Sequence, residues 1–394
     1  MDDAWTDFLI ACLRCRRDPA ALADARALAP ATPDAWEMAR RALYDEGIAA
    51  LLHGAVAGRG FFPAAIEAEL AAAYTTTAIR NTALLHELEA ALAALGRANV
   101  PGLLLKGAAL AETVYGDPGL RPMADCDLLV RPADLAAAQA ALEAIGYRPA
   151  ADEPHPGDTV RYESQVALRK PGPVPARIGL HWSLLDSPYY QARLPMAWFW
   201  AGAEPIRVGA MTALGLRPTA NLLYLAAHLI LHHRAAGLMW WYDIVELLYA
   251  CSGRVDWDAL LAQAQACDLV LPLARVLPEL ASRWAAPVPA DVLARLATLR
   301  PSPAEARVHA WLTASRRPVV QRFWADLASL DGWSTRLRFA ATNLFPAPAY
   351  MRRRYGVRWP VLLPFAYPYR WARGLAEWVT PGLKMPRNAR DGGC

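Results

Sequence analysis

Asp125-Cys126-Asp127 places two carboxylates one residue apart, directly before the apolar run Leu128-Leu129-Val130. In a strand, successive side chains alternate faces, so Asp125 and Asp127 point the same way, about 7 Å apart along the backbone. Two carboxylates aimed into one space repel each other and are tolerated when a cation sits between them. Mg²⁺ suits such a pair, because it takes a couple of carboxylates plus substrate phosphates. Upstream, Leu103-Leu104-Leu105 follows Pro101-Gly102 and reads as a short buried strand. Lys106-Gly107 breaks that run, and Ala108 to Tyr115 reads as a helix. Backbone N–H groups at such a strand-to-helix turn favour phosphate. Lys106 is one of only three lysines among 41 basic residues, with Lys170 and Lys384. A lysine kept at this turn, in a chain that otherwise uses Arg, points to a compact charge that Arg does not replace well.

The elements around the pair follow from punctuation and period. Thr82 to Ala98 is strongly helical and leads into the first strand. Pro132-Ala133-Asp134 opens a helix that ends near Gly146, with proline near its first turn. Arg161 to Lys170 and Ala176 to Trp182 read as two arms of a hairpin through Pro171-Gly172-Pro173. Alternation puts Gly179 and His181 on one face, and Ile178, Leu180 and Trp182 on the other. Residues 1–80 and the chain beyond Arg217 carry apolar positions at helical spacing. His228 and His232 stand four apart on one helix face, a spacing that suits a metal. No H-E-x-x-H and no third ligand is evident, so the pair reads rather as a polar pocket wall that Asp243 caps or orients.

Composition sets the class. With 394 residues and 55% hydrophobic content, the chain is long enough for two or three compact units. Its start, with acids before a short apolar run, carries no secretory signal. The longest membrane-like run, Leu222 to Leu231, is ten residues and contains His228, short of the ~20 that a span needs. A soluble, cytoplasmic protein is expected. Cys12 and Cys15 form a single C-x-x-C with no second pair at zinc-site spacing, and all six cysteines read as reduced thiols. Residues 316–394 hold 14 basic and 4 acidic side chains, interleaved with Trp333, Tyr350, Tyr355, Trp359, Tyr367, Tyr369, Trp371 and Trp378. That tail fits nucleic acid or an anionic surface. The favoured reading is an Arg-rich helical cap whose aromatics pack inward.

The motifs together resemble the bacterial family of uncharacterised nucleotidyltransferases, within the superfamily of polymerase-beta-like fold. The matching stretches are Lys106-Gly107-Ala108-Ala109-Leu110, Arg121 to Val130, Gly146-Tyr147, Leu180-His181-Trp182, His228 and Trp241-Tyr242-Asp243-Ile244. Pro287-Val288-Pro289, Leu344-Phe345-Pro346 and Arg354-Tyr355 look similar as well. The resemblance implies an α+β chain with a small mixed-sheet core at 81–210, between helical regions at 1–80 and 211–394. It implies Mg²⁺-dependent transfer of an NMP from an NTP to a hydroxyl of an acceptor, with release of pyrophosphate. Asp125 and Asp127 would hold the metal, and Lys106 and the backbone at Gly107 the outer phosphates. Arg121 would touch phosphate or brace the loop, and His228 and Asp243 would shape the acceptor pocket.

One departure stands out. Family members often carry an acid two positions before the histidine of L-H-W, where this chain has Gly179. In the superfamily a third carboxylate on a neighbouring strand completes the metal site. Its loss leaves His181 or Glu163 to act as base, or leaves a nucleotide-binding protein with impaired transfer. On this reading Gly179→Asp would restore a ligand. A third possibility is a nucleotidyltransferase acting on tRNA or another RNA through 316–394.

Overall fold

The computed structural model describes residues 3–60, 62–150, 163–314, 319–330 and 332–379. Five helices open the chain: α1 (Asp3–Arg14), α2 (Ala21–Ala27), α3 (Pro33–Asp45), α4 (Ala49–Val56) and α5 (Ala64–Arg97). Thr32 caps α3 by accepting from the Ala35 amide, with Pro33 at the first helical position. α5 is alanine-rich and free of glycine and proline until Gly96, which lets it run 34 residues. It therefore passes through position 80, where the sequence suggested a boundary.

α5 delivers the chain into a seven-stranded mixed sheet. Its strands are β1 (Leu103–Leu105), β2 (Cys126–Leu129), β3 (Arg148–Pro149), β4 (Gln165–Lys170), β5 (Ala176–His181), β6 (Glu204–Val208) and β7 (Met211–Gly215). They lie in the order β3-β4-β5-β2-β1-β7-β6. β2 runs antiparallel to β1 and parallel to β5, with Asp127 opposite Leu105 on one side and Gly179 on the other. The expected hairpin is present as β4 and β5, joined through Pro171-Gly172-Pro173. Arg161 and Tyr162 lie outside the described residues. The β6–β7 hairpin was not expected, and β7 pairs in parallel with β1, so the sheet extends past 210 to Gly215.

Two apolar cores cover the sheet. One packs α5 residues Leu84, Leu88 and Leu92 with Cys126, Leu128, Ile178, Leu180 and the helix Leu135–Ala144. The other joins α1 to α4 with Leu105, Leu129 and the helices Pro218–Leu231, Leu238–Cys251 and Val270–Ser282. The N-terminal and C-terminal helical regions are thus one packed unit rather than two. Polar contacts cross it: Tyr242 donates to the Leu13 carbonyl (3.2 Å), and Arg17 Nε donates to the fully buried Glu246 (3.1 Å to Oε2).

Beyond Thr313 the helices Val319–Ser329, Trp333–Leu344, Pro348–Arg354 and Leu363–Val379 form the basic region. The expectation that its aromatics pack inward holds in part: Tyr350, Tyr355, Tyr367 and Trp371 are half-buried, with Tyr367 and Trp371 donating to the carbonyls of Pro346 and Leu344. Trp324, Trp333, Phe345, Trp359, Phe365 and Tyr369 are exposed, beside basic Arg352, Arg353 and Arg354. Cys12, Cys15, Cys126, Cys251 and Cys267 are free thiols. Among the described residues, no helix is long and apolar enough to cross a membrane.

Candidate active site

The carboxylate pair sits where β2 begins. Asp125 immediately precedes the strand and is exposed, while Asp127 lies inside it and is buried. The loop before them is tied down from α5. Asn81, fully buried, donates to the carbonyls of Pro118 and Arg121 (2.7 Å each) and accepts from the Met123 amide (3.3 Å). Arg80 Nε donates to the Met123 carbonyl (3.1 Å).

Arg121 braces this loop from the other side. Its Nε and Nη2 donate to the two carboxylate oxygens of Asp243 at 2.8 and 2.7 Å, and Tyr115 donates to the same carboxylate at 2.9 Å. Arg121 and Asp243 are both buried. A bidentate pair of this kind fixes geometry as well as contributing energy. The guanidinium also explains Gly107: a Cβ there would sit 2.3 Å from Arg121 Nη1. Of the two roles left open for Arg121, the geometry is that of a brace. Asp243 faces Arg121, not the histidines of the preceding helix.

Lys106 has a left-handed backbone, φ 49°, at the junction of β1 and the helix Lys106–Leu110. A non-glycine residue there costs roughly 1–2 kcal/mol. Strain of this sort persists where the surrounding structure holds it. The Lys106 ammonium lies 3.1 Å from Asp127 Oδ2, and His181 Nε2 lies 2.7 Å from Asp127 Oδ1. Burial opposes the Asp127 charge, but His181 and Lys106 outweigh it and hold the carboxyl well below the usual carboxylate range. Burial likewise opposes the Lys106 charge, and Tyr224, Asp127 and Asp125 outweigh it. Asp125 goes the other way: crowding by protein atoms and then the charge of Asp127 raise its pKa. Asp125 makes no hydrogen bond or ion pair among the described residues. An unpartnered carboxylate beside a second one is a donor set that fits Mg²⁺.

Gly179 faces this cluster, as alternation required. A Cβ at 179 would lie 2.5 Å from Asp127 Oδ1, 3.0 Å from His181 Nε2 and 3.1 Å from Gln165 Oε1. The space that a third acid would need is filled by the His181–Asp127 pair. An aspartate at 179 would therefore have to push the ends of Asp127 and His181 apart before it could reach a metal. Glu163 is half-buried, two residues before β4.

Several neighbours of the site were not picked out from the sequence. Asp186 lies five residues beyond β5, accepts from Ser164 Oγ and binds His232 Nδ1 at 3.1 Å. Burial raises its pKa, but His232 and Ser164 outweigh this and hold it low. The Tyr224 hydroxyl is buried beside the Lys106 ammonium. His228 Nε2 meets His233 Nε2 at 3.1 Å, and the His233 ring stacks on Trp240 at 3.6 Å. Burial, then Lys106 and the other histidines, lower the His228 pKa, and burial with His232 lowers that of His233 to about 3.

The description "uncharacterised nucleotidyltransferase" matches residues 32–285, well over half of the chain. The chain belongs to this nucleotidyltransferase family. The match holds the whole sheet and both carboxylates, and it stops before Pro287-Val288-Pro289, Leu344-Phe345-Pro346 and the basic region. No curated protein and no solved structure matches the chain. As a member of this nucleotidyltransferase family, the protein is an α+β molecule with helices at both ends of its mixed sheet.

Proposed function

We propose that the protein transfers a nucleoside monophosphate from an NTP to a hydroxyl of an acceptor, with Mg²⁺ held by Asp125 and Asp127. The observation that carries this reading is the convergence of unpaired Asp125, paired Asp127 and backbone-strained Lys106 at the head of β2. The metal would neutralise charge on the triphosphate and align acceptor and leaving group. Lys106 gives up Asp127 Oδ2 when nucleotide binds and turns its ammonium, on a flexible stem, to the outer phosphates. His181 keeps Oδ1 and holds Asp127 in one orientation. The Arg121–Asp243 brace keeps the loop in register with the helical region. The buried Tyr224 hydroxyl offers a polar contact to whichever group enters beside Lys106.

Two features favour other readings of the same site. Gly179 adds no carboxylate to Asp125 and Asp127 at the head of β2, which suits nucleotide binding with weak transfer. The exposed aromatics and arginines of 319–379 suit an RNA acceptor, read by stacking and phosphate contacts. Incubation with α-labelled NTPs, Mg²⁺ and candidate acceptors tests the main reading. Transfer of label that needs Asp125 supports it. Mg²⁺-dependent NTP binding with no transfer to any acceptor class replaces it with the binding role. Steeply salt-dependent tRNA binding points to the RNA acceptor.

A further inference from the structure

The third ligand missing from the sequence pattern is supplied by the end of a helix. The helix Pro218–Leu231 carries His228 in its last turn and stops at Leu231. The amides of His232 and His233 both donate to the His228 carbonyl, at 3.0 and 3.2 Å. Arg234 and Ala235 then take left-handed backbones, φ 56° and 61°, so the chain doubles back. The three imidazoles converge, with one ring nitrogen of each within 4.8 Å of the others. We propose that His228, His232 and His233 bind a transition-metal ion, with Zn²⁺ as the expected occupant, separate from the Asp125–Asp127 pair.

Three aspects of the geometry carry this. Two nitrogens bound to one tetrahedral zinc at 2.0–2.1 Å stand about 3.3 Å apart. His228 Nε2 and His233 Nε2 are already 3.1 Å apart. His233 is held by its stack on Trp240, whereas His232, whose ring lies parallel to that of His228 with planes 14° apart, turns about its side-chain torsions on binding so that both in-plane lone pairs meet one ion. Asp186 occupies Nδ1 of His232, which leaves Nε2 for a metal. A carboxylate behind a ligating histidine is the usual support of such a site. Three imidazoles with no oxygen donor select zinc, cobalt, nickel or copper over Mg²⁺. His228 is buried and His232 is exposed, so the fourth position opens outward to water or to a group on an incoming molecule.

The test uses full-length protein stripped of metal and titrated with Co²⁺ and then Zn²⁺. The expected result is one Co²⁺ per chain with the visible absorption of a four-coordinate site, displaced by one Zn²⁺. His228→Gln and His233→Gln should each weaken Zn²⁺ binding at least 10-fold. Asp125→Asn and the exposed-residue control His86→Gln should leave it unchanged. A featureless Co²⁺ spectrum with no Zn²⁺ binding at micromolar concentration would overturn the proposal and leave a hydrogen-bonded histidine cluster only. So would Zn²⁺ binding that is lost in Asp125→Asn but kept in His233→Gln. Because the wild-type spectrum is read first, a variant that fails to fold does not rescue the idea.

Discussion

Lys106 can be tested so that its backbone and its side chain give separate answers. Lys106→Ala and Lys106→Gly both remove the ammonium that lies 3.1 Å from Asp127, so the lost ion pair cancels between them. They differ in backbone freedom at φ 49°. An L-residue in the left-handed region costs roughly 1–2 kcal/mol, which glycine avoids. Glycine's greater freedom in the unfolded chain takes back about 0.4–1 kcal/mol. The glycine variant should therefore be more stable than the alanine variant by about 1 kcal/mol. With a urea slope of about 3 kcal/mol/M for a chain of this size, the midpoints should differ by about 0.3 M. Both variants should bind NTP more weakly than wild type, and the loss should be larger for NTP than for NMP, because the proposed contact is to the outer phosphates. An alanine variant as stable as the glycine variant would refute the strained turn. A glycine variant with unchanged NTP binding would refute the contact of Lys106 with the outer phosphates.

The two aspartates should respond differently to loss of charge. Asp125→Asn relieves repulsion at an exposed, unpartnered group and should leave metal-free stability equal or slightly higher, with transfer abolished. Asp127→Asn strands Lys106 beside a neutral partner and should cost about 1–3 kcal/mol in urea unfolding. Equal stabilities would mean that the Lys106–Asp127–His181 contacts contribute nothing. Gly179→Asp should lower both stability and Mg²⁺-linked stabilisation by NTP; a gain in either, read by thermal shift, would show that the His181–Asp127 pair yields without loss. In chelator, acid should weaken the fold early. The lowered pKa values of His228 and His233 mean that the unfolded chain binds protons first as pH falls below about 6.5. Their stability contribution is complete above that pH and shrinks towards about 3 for His233, by at most about 1.4 kcal/mol per pH unit for each histidine. Unfolding midpoints that stay flat from pH 7 to 5 would contradict this, and His233→Gln should flatten the slope.

What the sequence made legible is what lies close along the chain. Asp125, Asp127, Lys106 and the face of Gly179 followed from alternation and from a turn between two apolar runs. The partners that give these residues their state come from far away. Lys106 and His181 reach Asp127 only because β1 and β5 flank β2. Arg121 finds Asp243 from 122 residues away. His233 lay next to His232 in the sequence, but helical spacing counted it off the face; the end of the helix at Leu231 brings it back. The β6–β7 hairpin did leave a signal, alternation around Gly209-Ala210, obscured by Pro205 in a strand that sits at the sheet edge, where proline is tolerated. The aromatics of the basic region divide between half-buried and exposed, because arginine and tryptophan counts carry no information about which side of a helix is covered.

The core shared by α1 to α4 and the helices after residue 218 has a consequence for biosynthesis. The first 60 residues pack on one another and on α5, but emerge from the ribosome some 160 residues before the helices that complete their core. Contacts of that span are slow to form, because a long loop must close before any of them stabilises the chain. Until then the part of this core that the later helices complete, such as the end of α1 where Leu13 receives Tyr242, remains open, a form prone to aggregation and to capture by chaperones. A shortened gene ending after β7 would strand the same surface permanently. The seven-stranded sheet should therefore not be obtainable as a soluble fragment, and expression trials should keep both ends of the chain or replace α1 to α4 with a polar cap.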